Sequence, residues 1–371
     1  MSEYIINGKL LTNIANAVRS IDGNTSTMTP EQMETRLKAV KSRIDALTRS
    51  FKSVIERSDP NPTLPSDLTQ IGPNAFANYG NLALTSLPSR VRSIGFYAFA
   101  YCRKLALTSL PSGLTSIDDY AFYACNNLAL TSLPSGVKTI SEYAFSGCTN
   151  LALTSLPEGV ATIYTRTFMD CTALALTSLP SGVTKIYDSA FENCTNLALT
   201  SLPEGITSIG EYAFSSCTNL ALTSLPSGLT AISDGSFYGC TNLAFTSLPE
   251  GVKRIGKNSF QNCTALALTS LSSGLTFIDN GAFYGCTNLA ITSIPSGMDY
   301  IARGAFGGCT SLTSITFEGK PRTIEALAFE GCTNITTINV PWAEGAVSNA
   351  PWGATNATIN YNYTAQETSS T

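Results

Sequence analysis

LALTSLPSGLTSIDDYAFYACNN, residues 105–127, is followed by LALTSLPSGVKTISEYAFSGCTN, residues 128–150, and LALTSLPEGVATIYTRTFMDCTA, residues 151–173. The same frame recurs across most of the chain. Cysteines stand every 23 residues from Cys102 to Cys332, each with a phenylalanine three positions earlier, Phe99 to Phe329. One further copy at the front keeps Phe76 but has Tyr79 at the cysteine position. Self-similarity at a fixed period of this size marks a solenoid, in which each unit packs on its neighbours. The fixed apolar positions, Leu151, Leu153, Leu156, Val160, Ile163, Phe168 and Cys171 in one copy, come in short bursts split by Pro157 and Gly159. They fit neither a helical period nor long alternation. The expectation is a coil of two short parallel strands joined by turns, with EYAF-like segments as a single helical or 3₁₀ turn.

Composition agrees with such an array. The chain has 371 residues, 43% hydrophobic and only 13% charged, so there is much to bury and little charge to solvate. A net charge of -4 offers no basic footprint for nucleic acid. No apolar run approaches the ~20 residues that span a bilayer. The start MSEYIINGKLL lacks the n-region and h-region of a signal peptide, which points to folding in a cytoplasm.

The eleven cysteines are odd in number and fall one per repeat. Parallel strands stack ~4.8 Å apart, too far for equivalent Cβ atoms to reach disulfide distance. A ladder of buried free thiols is expected. With no histidine and no CxxC pair, zinc and iron–sulfur arrays are not expected, and no cofactor is.

The pattern LPxxVxxIxxxAFxxC over 71–340 resembles the BspA-like leucine-rich repeat, found in bacterial surface adhesins and in phage tail proteins. Where that family writes LxxIxIP, this chain reads LALTSLP, so Thr154 replaces an apolar residue; Leu312, Ile315 and Phe317 return to the family form. The first 28 residues resemble the short module that opens tail fibre proteins of phages infecting Gram-positive bacteria. Over 29–58, Met33, Leu37, Val40, Ile44, Leu47, Phe51 and Val54 follow a heptad seam. Leu at a with β-branched d positions favours a trimer; a helix capping the first coil is the alternative. The proline-rich stretch 59–70 reads as a stiff linker. In 341–371, Trp342 and Trp352 suit a cap over the last coil, with an edge strand over 357–364 and a disordered tail.

For function, the resemblance implies a non-enzymatic tail fibre or receptor-binding protein of the virion. It would dock to a tail or baseplate protein through its N-terminus and bind a host surface glycan or protein. The alternative is a leucine-rich-repeat adhesin on the bacterial cell surface. Absence of histidine removes the commonest general base. Carboxylates recur at one variable place, Asp118, Asp119, Glu142, Asp188, Glu211 and Asp234, where a turn offers no cleft for paired-acid hydrolysis. That variable place also carries Tyr97, Tyr120, Tyr143 and Tyr212 in one register, with Tyr164 and Tyr187 beside it. Invariant positions are expected to pack and varied ones to face solvent, so these tyrosines are the candidate binding residues. The unchanging Thr-Ser pair, Thr85-Ser86 through Thr292-Ser293, is expected to be a structural hydroxyl ladder.

Overall fold

The computed structural model describes residues 59–364. The N-terminal module and the seam from Met33 to Val54 lie outside the described residues, as does the chain beyond 364. Each of twelve coils contributes one two-residue strand, from Gln70–Ile71 to Thr323–Ile324. Its first residue faces out and its isoleucine in, and each pairs in parallel register with the next, as Ser93↔Ser116 and Ile94↔Ile117 do. The pairing is interrupted after Thr139–Ile140 and after Ser208–Ile209. A second parallel sheet forms at the C-terminal end from Ser293–Ile294, Ser314–Phe317, Thr337–Asn339 and Thr358–Asn360.

The LALTSLP segment is not a strand in the earlier coils. Leu151, Leu153 and Leu156 are buried while Thr154 and Ser155 both face solvent, so the chain bends outward at Thr-Ser. In the last coils Leu312, Ile315 and Phe317 are inside instead, the alternation a pleated strand requires. Leu153 thus takes the inward place one residue early, which is how the array tolerates Thr154. One inter-coil bond remains there, Ala152 N to Leu130 O at 3.0 Å.

The turn after each isoleucine is a run of three tandem turns rather than a helical one. Ala144, Ser146 and Cys148 donate back to Ser141, Tyr143 and Phe145, while the alternate N–H groups of Tyr143, Phe145 and Gly147 donate forward to the next coil's Thr165, Thr167 and Met169. That alternation needs a left-handed residue twice per coil. One row runs through Asn74, Tyr97, Tyr120, Tyr143, Arg166, Ser189 and Tyr212, the other through Asn78, Tyr101, Ala124 and Gly147, all at positive φ. An L-residue pays roughly 1–2 kcal/mol there, and the inter-coil bonds hold it in place.

The core is one column per register. Twelve phenylalanines, Phe76 to Phe329, stack with centroids 5.1 to 5.8 Å apart. All eleven cysteines are buried thiols outside any disulfide. Each thiol also donates to the phenylalanine carbonyl of the coil before, as Cys217 Sγ does to Phe191 O at 3.0 Å, so the ladder is a row of weak hydrogen bonds as well as small hydrophobes. Burial pushes the interior thiols above their ordinary 9.0, that of Cys148 to about 12. A thiol reagent should therefore react little with intact protein and with about eleven groups after denaturation, fewer meaning disulfides. Because the folded value is the higher one, this stabilisation is present below pH 9.0 and is lost as pH rises toward about 12.

Two core hydroxyls are misplaced. Ser236 and Ser259 are fully buried and their Oγ atoms have no partner among the described residues. They stand where Ala98, Ala121, Ala144 and Ala213 do in other coils. Ser236→Ala and Ser259→Ala should each raise unfolding free energy by about 1–2 kcal/mol in urea titration; unchanged or lowered stability would show that the hydroxyls are satisfied.

The stretch 59–70 is part of the first coil and not a free linker. Pro60 O accepts from Ala83 N at 2.6 Å, and Leu64 and Leu68 pack against the core. LPSDLTQI over 64–71 aligns with LPSRVRSI over 87–94, with Pro65 at the place of Pro88. At the other end Trp342, Trp352 and Phe317 close the apolar column, with Trp352 Nε1 donating to Ser348 O at 2.7 Å.

Candidate binding surface

The tandem turns place the residue after the varied carboxylate at the left-handed position, and its side chain meets the equivalent one in the next coil. Tyr97 stacks on Tyr120 at 4.5 Å and Tyr120 on Tyr143 at 4.4 Å, planes within 12° of parallel. Arg166 takes the fourth place, its guanidinium 5.4 Å from the Tyr143 ring centroid and hydrogen-bonded to the Tyr143 hydroxyl. Burial and the two flanking phenols push Tyr120 up to about 12, so its hydroxyl is neutral at physiological pH.

Three more rings complete the patch, and sequence reading misses them because they lie in other registers. Phe96 meets Tyr97 edge-on at 4.4 Å. Tyr123 meets Tyr120 at 5.6 Å and Tyr101 at 5.2 Å. Phe96 and Tyr101 are 45% and 38% exposed, the outer walls of a six-ring cluster on three consecutive coils. Spacings of three and four residues, Tyr120 to Tyr123 and Tyr97 to Tyr101, are the signal that finds them once the tandem turn is known.

The remaining candidates do not join. Tyr164 and Tyr187 stack on each other at 5.9 Å, two residues earlier in the repeat. Tyr212 is separated from the column by the coils of Arg166 and Ser189 and lies over Gly235, where an added Cβ would fall 2.3 Å from its ring.

The carboxylates of the turn tie coils together. Asp119 Oδ1 accepts from Glu142 N at 3.2 Å, Asp188 from Glu211 N at 2.9 Å and Asp234 from Lys257 N at 2.9 Å. Asp118 is raised above the ordinary carboxylate value by burial and by Asp119. A raised acid contributes stability at low pH that is lost as pH rises through its folded value. Asp118→Asn should therefore raise the melting point at pH 7 and leave it unchanged at pH 3; a lowered melting point at pH 7 would refute the sign. No group of three or more His, Cys, Asp or Glu that could hold a metal occurs among the described residues. No helix among them is long and apolar enough to cross a membrane.

The Thr-Ser face carries the expected ladder only in part, with Thr223 and Thr269 each donating to the threonine carbonyl one coil back at 3.4 Å. Thr85, Thr108, Thr131 and their equivalents to Thr292 are all exposed. The continuous hydroxyl ladder is elsewhere: Thr172, Thr195, Thr218, Thr241, Thr264 and Thr287, just after the cysteines, each donate to the threonine carbonyl one coil back at 3.2 to 3.5 Å.

Residues 59–175, 138–267 and 230–349 each match the BspA type leucine rich repeat region, and the chain belongs to that family. A leucine-rich repeat protein of Bacteroides ovatus is similar in structure, 27% identical over 80% of this chain and 82% of that one, with a TM-score of 0.59. A leucine rich cell surface protein of Faecalibacterium prausnitzii is 29% identical over 75% of this chain and 84% of that one, with a TM-score of 0.50. No curated protein matches the chain.

Proposed function

We propose that the chain is a non-enzymatic adhesive scaffold of the bacterial cell-surface type, which contacts its target through the six-ring cluster of coils two to four. The observation that carries this reading is the contiguous patch of six aromatic rings on three consecutive coils. Exposed aromatic groupings of this kind mark interaction sites, and tyrosine supplies contact area at little entropic cost. The Faecalibacterium relative's description as a cell surface protein favours that location. The virion-tail reading, first choice from the sequence, draws on the resemblances of residues 1–58 and of the repeats, and no comparison favours it.

The test removes rings without disturbing the backbone. Asparagine tolerates the left-handed conformation and already occupies this register at Asn74 and Asn258. Tyr97→Asn, Tyr120→Asn and Tyr143→Asn together should leave the thermal transition cooperative and lower adhesion to target cells at least tenfold. Equal adhesion by the folded triple variant would exclude this surface.

A further inference from the structure

The register that holds Tyr97, Tyr120 and Tyr143 in coils two to four holds Gly281 and Gly304 toward its far end, both left-handed, with φ of 61° and 63°. Two side chains are therefore missing side by side. An open groove of about 300 Å³ runs across that place, at the lower end of the ~300–1,000 Å³ that ligand sites occupy. The neighbouring register reads Gln261, Tyr284 and Gly307. With no side chain at Gly307 the Tyr284 ring leans over it, and a Cβ there would fall 2.6 Å from Cδ2. Tyr284 is 45% exposed. No ring is stacked on it among the described residues, whereas Tyr120 has one on each side. Across the groove Asn258 and Gln261 are half-buried, with Asn258 Oδ1 2.5 Å and Gln261 Oε1 3.8 Å from the place of a Gly281 Cβ. Neither side-chain amide has a hydrogen-bond partner among the described residues.

The charges around the groove cancel. Arg254, Lys257 and Arg303 stand against Asp279, Glu325 and Glu330, and Arg254 is paired with Asp279. The main chain is committed as well. The N–H groups of Asn258, Gly281 and Gly304 donate to the next coil's Asn280, Arg303 and Leu327, so a peptide finds no strand edge to extend. What remains is an open aromatic ring beside amides that both donate and accept, with no charge to select an ion. A sugar brings the matching set. Its hydroxyls donate and accept, and its C–H face carries the partial positive charge that the negative face of a ring attracts.

We propose that the groove over Gly281 and Gly304 is a subsite for a neutral pyranose glycan, which lays its C–H face on Tyr284 while its hydroxyls bond the amides of Asn258 and Gln261. The site lies on other coils than the six-ring cluster and does not depend on it.

The experiment uses the full chain and fluorescence anisotropy. The probes are labelled hexasaccharides of glucose, mannose, galactose and N-acetylglucosamine, a labelled oligogalacturonate as an anionic glycan, and an uncharged glycine–serine peptide. The wild type should bind at least one of the neutral hexasaccharides and neither of the other probes. Tyr284→Ala, an exposed substitution that leaves the fold intact, should weaken that binding about tenfold, while Tyr284→Phe, which keeps the ring, should bind as the wild type does. Gly304→Asn fills the floor of the groove with a residue that tolerates the left-handed conformation, as Asn258 does in the same register, and should weaken binding as much. Tyr238→Ala, in the register of Tyr284 but outside the groove, should change nothing. Binding of no neutral hexasaccharide would overturn the proposal. So would binding of the peptide or the galacturonate in their place, or equal loss in the Tyr238 and Tyr284 variants. The triple tyrosine variant of coils two to four should bind the sugar normally; loss there would move the sugar to the six-ring cluster and overturn the groove. Normal sugar binding together with normal cell adhesion by that variant would leave the groove standing and exclude the cluster.

Discussion

Phe214→Ala should cost about 3–5 kcal/mol and split the array's single unfolding transition in two. Phe214 is fully buried and stacked between Phe191 at 5.4 Å and Phe237 at 5.6 Å. Removing a buried ring forfeits its transfer energy and leaves a cavity, and here two stacking contacts are lost as well. In a quasi-one-dimensional protein that damage falls on the coupling between neighbouring coils. The same register lies beside the interruption of strand pairing after Ser208–Ile209, so fewer backbone bonds remain to bridge the gap. Phe76→Ala is the comparison, since Phe76 has one stacking neighbour and sits at the array's end. It should cost less and fray the first coil only. Guanidinium titration followed by circular dichroism reads both; equal losses with one shared transition would mean that the column does not transmit cooperativity.

Trp352→Ala should be comparably severe for a different reason. Trp352 is fully buried, packs 5.9 Å from Phe317 and 6.5 Å from Trp342, and its carbonyl accepts from Phe329 N at 2.9 Å. Its backbone takes the place over Phe329 that the next coil takes over each earlier phenylalanine. Truncating a buried tryptophan costs about 3–5 kcal/mol, and an opened column end is a template for further association. The variant should lower the melting point and raise light scattering well before the wild type does. A melting point near wild type with no scattering would mean that the last coil closes itself.

The period, the phenylalanine column and the thiol ladder are legible in the sequence because each rests on one residue type at one register. The rest is hidden for identifiable reasons. Glycine and asparagine announce left-handed backbone, but coils two to five place Tyr97, Tyr120, Tyr143 and Arg166 there, and only residues such as Asn74, Gly235 and Asn258 betray the requirement. Equating constancy with packing fails at Thr-Ser, because the bend that lets Leu153 and Leu156 both reach the core pushes the two residues between them outward. Pro62 and Pro65 read as linker because three prolines crowd into 59–65, yet Pro65 holds the place that Pro88 and Pro111 hold in the following coils. Half of the six-ring cluster lies in registers that alignment of the repeats keeps apart and only the tandem turn brings together. The acids are plain in the sequence, but that three of them hold the next coil's N–H requires the coil geometry.

The most direct measurement is tyrosine-selective surface labelling, read by mass spectrometry, with the protein free and then bound to cells it adheres to. Tyr101, Tyr123 and Tyr143 should be protected by the bound surface, while Tyr363, exposed on a distant coil, labels as in the free protein. Protection confined to Tyr363, or none at Tyr101, Tyr123 and Tyr143 in adherent protein, would contradict the account.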